Sequence, residues 1–301
     1  MSYANRLLAL AMLVGLTAIG STSTSAQEVK TVFVNHNWTQ PANQFTGGIQ
    51  QIYQNPNAPF VNALVNGTAV EIIDGAEVNI SSQVSYATAY HNVLSTPNGN
   101  NPHIHPSESN YIWAEAGTNF GVRNDNDPYT GGTNQNTSLH LSNLLTQAGK
   151  TWKSYQEDID LTPNGAGQLT NVALPQFDWT VPLSSFSGVF AAGTVNQFNG
   201  ANQYNYAAKH NPMLFFSDTN GGNNATPSNA LSSNYAPLQQ LLVDLANDSV
   251  AEYNWITPNQ FNDMDTMLSA GYKGLTGDPA KISQSDDFLR QIVPVIMASN
   301  A

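Results

Sequence analysis

Leu141-Ser142-Asn143-Leu144-Leu145-Thr146-Gln147-Ala148-Gly149-Lys150-Thr151-Trp152-Lys153-Ser154-Tyr155 carries a helical pattern and then a strand pattern, divided by one glycine. Leu141, Leu144, Leu145 and Ala148 recur at i, i+3, i+4 and i+7, so they share one helix face. Ser138 is the expected N-cap and Gly149 the expected stop, and residues 151–155 have strand composition. The unit recurs. Leu238, Leu241, Leu242 and Leu245 precede a β-branched and aromatic run at 250–257, and Leu289, Ile292, Val293 and Ile296 mark a last helix over about 286–298. A β-branched run at 29–34 reads as the first strand of the domain. Helices alternating with strands predict an α/β fold with a mostly parallel central sheet and helices on both faces. Ligands of such sheets bind beyond the carboxyl ends of the strands, so the polar sequences just after strands are where chemistry is expected.

Composition narrows that chemistry. The 301 residues include no cysteine, which excludes disulfides, thiolate metal sites and a cysteine nucleophile. Nine basic residues stand against 21 acidic ones, a formal charge of −12, and no basic run tracks a phosphate backbone. Nucleic acid and anionic membranes are therefore not expected partners. Arg6, the run at 7–19 and the small residues ending in Thr24, Ser25 and Ala26 have the layout of a secretory leader, too short to span a bilayer. The expectation is a leader at 1–26, a single domain at 27–301, a secreted or periplasmic location and no stable membrane insertion once the leader is removed. Two Asn/Gly/Ser-rich stretches, about 191–206 and 218–234, read as long surface loops.

The segment His103-Ile104-His105-Pro106-Ser107-Glu108-Ser109-Asn110-Tyr111-Ile112-Trp113-Ala114-Glu115-Ala116-Gly117 is the most telling. A serine after a proline and before a helix-like run sits where free backbone N–H groups and the helix dipole favour a phosphoryl group. An ordinary serine N-cap is the alternative. Lys209-His210-Asn211-Pro212 places a cation and an acid side by side, or is a solvated loop. Gln156-Glu157-Asp158 comes just after a strand end, either supporting a site or forming an exposed acidic turn.

These segments, with Asn35-His36-Asn37-Trp38, Asn126-Asp127-Pro128, Ile256-Thr257-Pro258-Asn259 and Asn262-Asp263-Met264, fall in the order found in the phosphoesterase family of the alkaline-phosphatase superfamily, which includes acid phosphatases and phospholipase C-like enzymes. The resemblance runs from about residue 29 to 301. It implies a metal-dependent hydrolase of phosphate esters in which a metal-activated hydroxyl attacks phosphorus and water cleaves the phospho-enzyme. On that resemblance Ser107 is the nucleophile and His210 a proton-transfer residue. Asn124, Asn126 and Lys209 would bind the phosphate, and Asn35, Ser107, Asp263 and Asp265 would hold a divalent metal ion.

The chain departs from the family pattern in three places. Val34 stands where a metal-binding carboxylate precedes Asn35, and Asp265 stands where a histidine comes after Asn-Asp-Met. The last helix of the family leads into a strand ending in acidic residues, which the sequence does not supply, so the fold is expected to be incomplete at its C-terminus. An impaired phosphoesterase is the leading expectation. A catalytically inactive, truncated homologue that binds phosphate-bearing ligands or a partner is the alternative.

Overall fold

A computed structural model of the chain describes residues 7–10, 28–31, 36, 38, 50–73, 75–85 and 107–299. Strands β1 (Leu7–Leu10) and β2 (Glu28–Thr31) come first, then helix α1 (Pro59–Val65) and the hairpin β3 (Val70–Ile73) and β4 (Ala76–Asn79). Helices α2 (Glu108–Ala116) and α3 (Leu141–Gln147) precede β5 (Trp152–Gln156). Two small hairpins come next, β6 (Leu161–Pro163) with β7 (Leu169–Ala173), and β8 (Phe186–Val189) with β9 (Gln203–Tyr206). The chain then runs through β10 (Tyr235–Pro237), α4 (Gln239–Ala246), β11 (Tyr253–Thr257) and the long α5 (Gly277–Ala298).

The central sheet has the order β10-β5-β11-β1-β2 and every pairing in it is parallel. This is the expected α/β architecture. The strand between β11 and β2, Leu7–Leu10, comes from the segment that reads as a leader. The strand expected at 29–34 begins one residue earlier, as β2, and residues 32–35, Asn35 among them, lie outside the described part.

Strand periodicity divides the core between the two faces of the sheet. Tyr155 and Ile256 pack with Phe60, Leu241, Leu245, Phe288, Leu289 and Ile292, so α1, α4 and α5 cover one face. Trp152, Tyr253 and Trp255 pack with Tyr111, Leu141 and Leu145, so α2 and α3 cover the other. Each large apolar side chain buried in this way stabilises the fold by about 1.5–3 kcal/mol.

The boundaries show which local signals decide them. Helix α3 begins two residues after the position expected from Ser138: His140 holds the N-cap place with extended backbone and no capping hydrogen bond. Its imidazole is tied up elsewhere, Nδ1 to Glu115 at 3.0 Å and Nε2 to Asp218 at 2.8 Å, stacked on Phe216 with centroids 4.0 Å apart. Gly149 stops that helix as expected, at φ +72, where a side chain would be strained. Helix α5 starts at Gly277 rather than near Asp286. Its first turns bury Gln284, Ser285 and Asp286, polar residues that an apolar stripe cannot reveal. Asp286 accepts hydrogen bonds from the Phe60 and Val61 amides, both at 2.9 Å, and so satisfies the free N–H groups at the start of α1.

The two Asn-rich stretches are not simple surface loops. The first contains β9 and the buried Asn196 and Phe198, and the second holds the buried Asn220 and Asn229. Their amides bond inward: Asn229 Nδ2 donates to the Asn220 carbonyl at 3.0 Å, and Asn220 Nδ2 to the Leu214 carbonyl at 2.8 Å. Among the described residues no helix is long and apolar enough to cross a membrane.

Candidate active site

The carboxyl ends of β5 and β11 lie side by side, as the Glu157 N–H donates to the Thr257 carbonyl at 3.0 Å. The chain leaving each of these strands is polar and buried. Glu157 and Asp158 are 1% exposed, which rules out the alternative of an exposed acidic turn. Glu157 accepts from Asn262 Nδ2 at 2.8 and 2.9 Å, from Asn196 Nδ2 at 2.6 Å and from the Asn259 N–H at 2.8 Å. Asp158, held at φ +71, accepts from the Asn205 N–H and from Asn259 Nδ2, both at 2.8 Å. Burial raises both carboxyl pKa values, and the ring of amide donors pulls them back.

The second polar cluster lies on the α2 side. Ser107 occupies the N-cap place of α2 and is 6% exposed, yet its side chain makes no capping hydrogen bond. The plain capping role is therefore not the one it plays. Tyr111 lies one turn later, at i+4, on the same helix face as Ser107. Its ring stacks on His210 with centroids 4.9 Å apart and planes within 16°. That stack sets α2 against the turn that carries Lys209 and His210, and the charges of Asp125 and Lys209 bear on Glu108, next to Ser107.

His210 is buried and its Nδ1 lies 2.9 Å from Asp263 Oδ2. Burial pushes the imidazole pKa down, but the hydrogen bond and charge of Asp263, with Asp265 behind it, push it up by more, Lys209 opposing. Asp263 Oδ1 accepts the Asp265 N–H at 2.9 Å, so both oxygens of Asp263 are engaged. Lys209 is ion-paired with Asp125. Glu108, next to Ser107, is fully buried, and neither carboxylate oxygen completes a hydrogen bond of normal geometry among the described residues. Burial raises its pKa to about 8, Asp125 adds to the rise, and the Asn126 amide and Lys209 oppose it.

Ser107, Lys209, His210, Asp263 and Asp265 thus gather in one neighbourhood. Asn126 joins them at a cleft wall, whereas Asn124 is exposed and its side-chain oxygen accepts the Asn126 N–H at 3.1 Å, closing a local turn. Asn35, His103 and His105 lie outside the described residues. The other expected metal ligands are occupied. Asp263 is committed to His210, Asp265 accepts from Thr266 Oγ1 at 3.1 Å, and no group of three or more His, Asp or Glu converges among the described residues. Those residues do not by themselves form a cation site.

Sequence reasoning missed Glu108, Tyr111, Asp125 and the pairing of Asp263 with His210. Tyr111 was within reach, since i+4 spacing from Ser107 puts it on the same face. Asp125 meets Lys209 across 84 residues and Asp263 meets His210 across 53, and no local pattern records such pairings.

The parallel sheet thus carries, at one end, a serine at the start of a helix and a buried His–Asp pair beside a lysine. The sequence comparison names the class: the phosphoesterase family matches residues 15–297, and the chain belongs to that family. Among curated proteins it is similar to an acid phosphatase of Aspergillus fumigatus, 29% identical over 177 residues, which are 56% of this chain and 30% of that protein. It is also similar to a probable acid phosphatase of Kluyveromyces lactis, 25% identical over 197 residues, 64% of this chain and 37% of that one. The matched chain spans about a third of the length of these relatives.

Proposed function

We propose that the chain hydrolyses phosphate esters through Ser107. The observation that best supports this reading is the Tyr111–His210 stack, which packs α2, one turn from Ser107, against a histidine bonded to Asp263. In the first step the Ser107 Oγ–P bond forms as the bond from phosphorus to the ester alcohol oxygen breaks. His210 takes the hydroxyl proton and gives it to the departing alcohol. In the second step His210 takes a proton from the attacking water, the water oxygen–P bond forms as the Ser107 Oγ–P bond breaks, and His210 passes that proton to Ser107 Oγ. Lys209 and the free N–H groups at the start of α2 attract the phosphoryl oxygens. A divalent ion, which the family resemblance implies, supplies neutralisation of phosphoryl charge when bound.

Purified protein incubated with a chromogenic phosphomonoester, with and without divalent metals, tests the reading. Hydrolysis that disappears in Ser107→Ala supports it, and equal rates in the two proteins sink it. A second reading, binding of phosphate-bearing ligands without turnover, is favoured by the commitment of Asp263 to His210. It predicts saturable phosphate binding with no Ser107-dependent hydrolysis. The composition of residues 1–26 supports export as the location in which either activity is exercised.

A further inference from the structure

A cleft of about 410 Å3 opens beside Lys209, within the range of roughly 300–1,000 Å3 typical of small-molecule sites. Its walls come from the loop after α2, the facing ends of β8 and β9, and Gln260. It is fastened to the buried acids, because the Asn205 N–H donates to Asp158 at 2.8 Å and the Gln260 N–H donates to the Asn205 carbonyl at 2.9 Å. Lys209, next to His210 in the chain, is part of its lining, so the cleft adjoins the Ser107–His210 neighbourhood.

The lining selects among alcohols. Both carboxylates in it are spoken for: Asp125 pairs with Lys209, and Asp127 accepts from Ser185 Oγ at 2.7 Å. An additional anionic group would meet two carboxylates, with Lys209 already shared between Asp125 and the phosphoryl group. An acyl chain would strip water from Asn126, Ser187, Asn205 and Gln260 without replacing its hydrogen bonds, which is unfavourable. What these amides and hydroxyl do match is a set of hydroxyls, since both partners donate and accept. Phe186, 36% exposed, adds one apolar face, braced by Tyr206 at 5.4 Å and Tyr204 at 6.0 Å. A sugar ring has that shape, with a C–H face and hydroxyl edges.

Resting on the hydrolase reading of the adjoining site, we propose that this cleft holds the alcohol part of the substrate and selects uncharged, hydroxyl-rich alcohols, a monosaccharide phosphate being the class that fits. Titration calorimetry on the full chain with non-hydrolysable ligands tests it: a hexose phosphonate, methylphosphonate, the phosphonate analogue of phosphocholine and that of a nucleoside triphosphate. The hexose phosphonate should bind roughly tenfold more tightly than methylphosphonate, as one or two net hydrogen bonds give. The other two should gain nothing over methylphosphonate. In the Ser187→Ala/Gln260→Ala double variant, which truncates one exposed and one half-buried side chain of the lining, the hexose advantage should shrink to about onefold. The proposal is overturned if the hexose compound binds no better than methylphosphonate, including the case in which neither binds. It is equally overturned if the choline analogue binds tightest, or if the hexose advantage survives in the double variant. Turnover plays no part in these titrations, so a failure of the hydrolase reading appears separately, in the chromogenic assay.

Discussion

Two polar clusters sit near the carboxyl edge of one sheet, and they differ in how they use their hydrogen-bonding capacity. Around Glu157 and Asp158, four asparagine residues turn donors onto two carboxylates until each oxygen is matched. Around Ser107 and His210, neither Glu108 carboxylate oxygen completes a hydrogen bond of normal geometry, and the Tyr111 hydroxyl is buried without one among the described residues. Leaving such groups unmatched costs about 1–3 kcal/mol each, so a fold tolerates them where a ligand will use them. The first cluster is scaffold, and the second is where a phosphoryl group is expected to complete the polar set.

Variants can break that contrast. The largest effect is expected from Ser107→Ala, which should lower hydrolysis on the order of 10^4-fold. Denaturant unfolding of Glu157→Ala should show the reverse emphasis, a loss of about 3 kcal/mol, since at least three amide groups would be left facing an apolar gap. Asp263→Asn should cost roughly 10^2-fold in kcat with little change in KM, because it disorients His210 without touching the substrate. If Glu157→Ala proves neutral while Asp263→Asn unfolds the protein, the two clusters have been assigned the wrong way round.

A smaller effect is expected from pH. Burial raises the Asp160 and Asp286 carboxyls from 3.8 to about 6 in the folded chain, so the folded state holds protons that the unfolded state releases. Their contribution is full below pH 3.8 and is lost as the pH rises through about 6. Melting temperatures measured across that window should therefore decline with rising pH, less steeply in Asp286→Asn. The smallest effect is expected at the surface. Lys150 bonds Glu252 at 2.7 Å with half its side chain in water, and Lys150→Ala should leave the melting temperature close to that of the parent.

Much of the fold was legible because its elements obey simple periods. Leu141, Leu144 and Leu145, and Leu238, Leu241 and Leu245, announce α3 and α4. The runs after them announce β5 and β11, and from these the parallel sheet can be inferred. The missed portions share a physical cause, polar groups buried by pairing. Gln284 reaches Asn262 at 2.8 Å and Asp286 reaches the start of α1, so the first half of α5 shows no apolar stripe. Asn196 and Asn220 look like loop residues in sequence and act as internal donors in the fold. The site was legible only in part, for the same reason: Ser107, Lys209 and His210 stand in recognisable runs, whereas Asp125 and Asp263 gain their roles from distant chain segments.

Ser107 is proposed to carry the phosphoryl group during turnover. Acid-quenching the protein during turnover of a phosphate ester, with peptide mass spectrometry of the quenched samples, tests it most directly. A phosphoryl group should form on Ser107 with substrate and disappear when substrate is exhausted. Steady hydrolysis with Ser107 unmodified at every time point, and undiminished in Ser107→Ala, would contradict it.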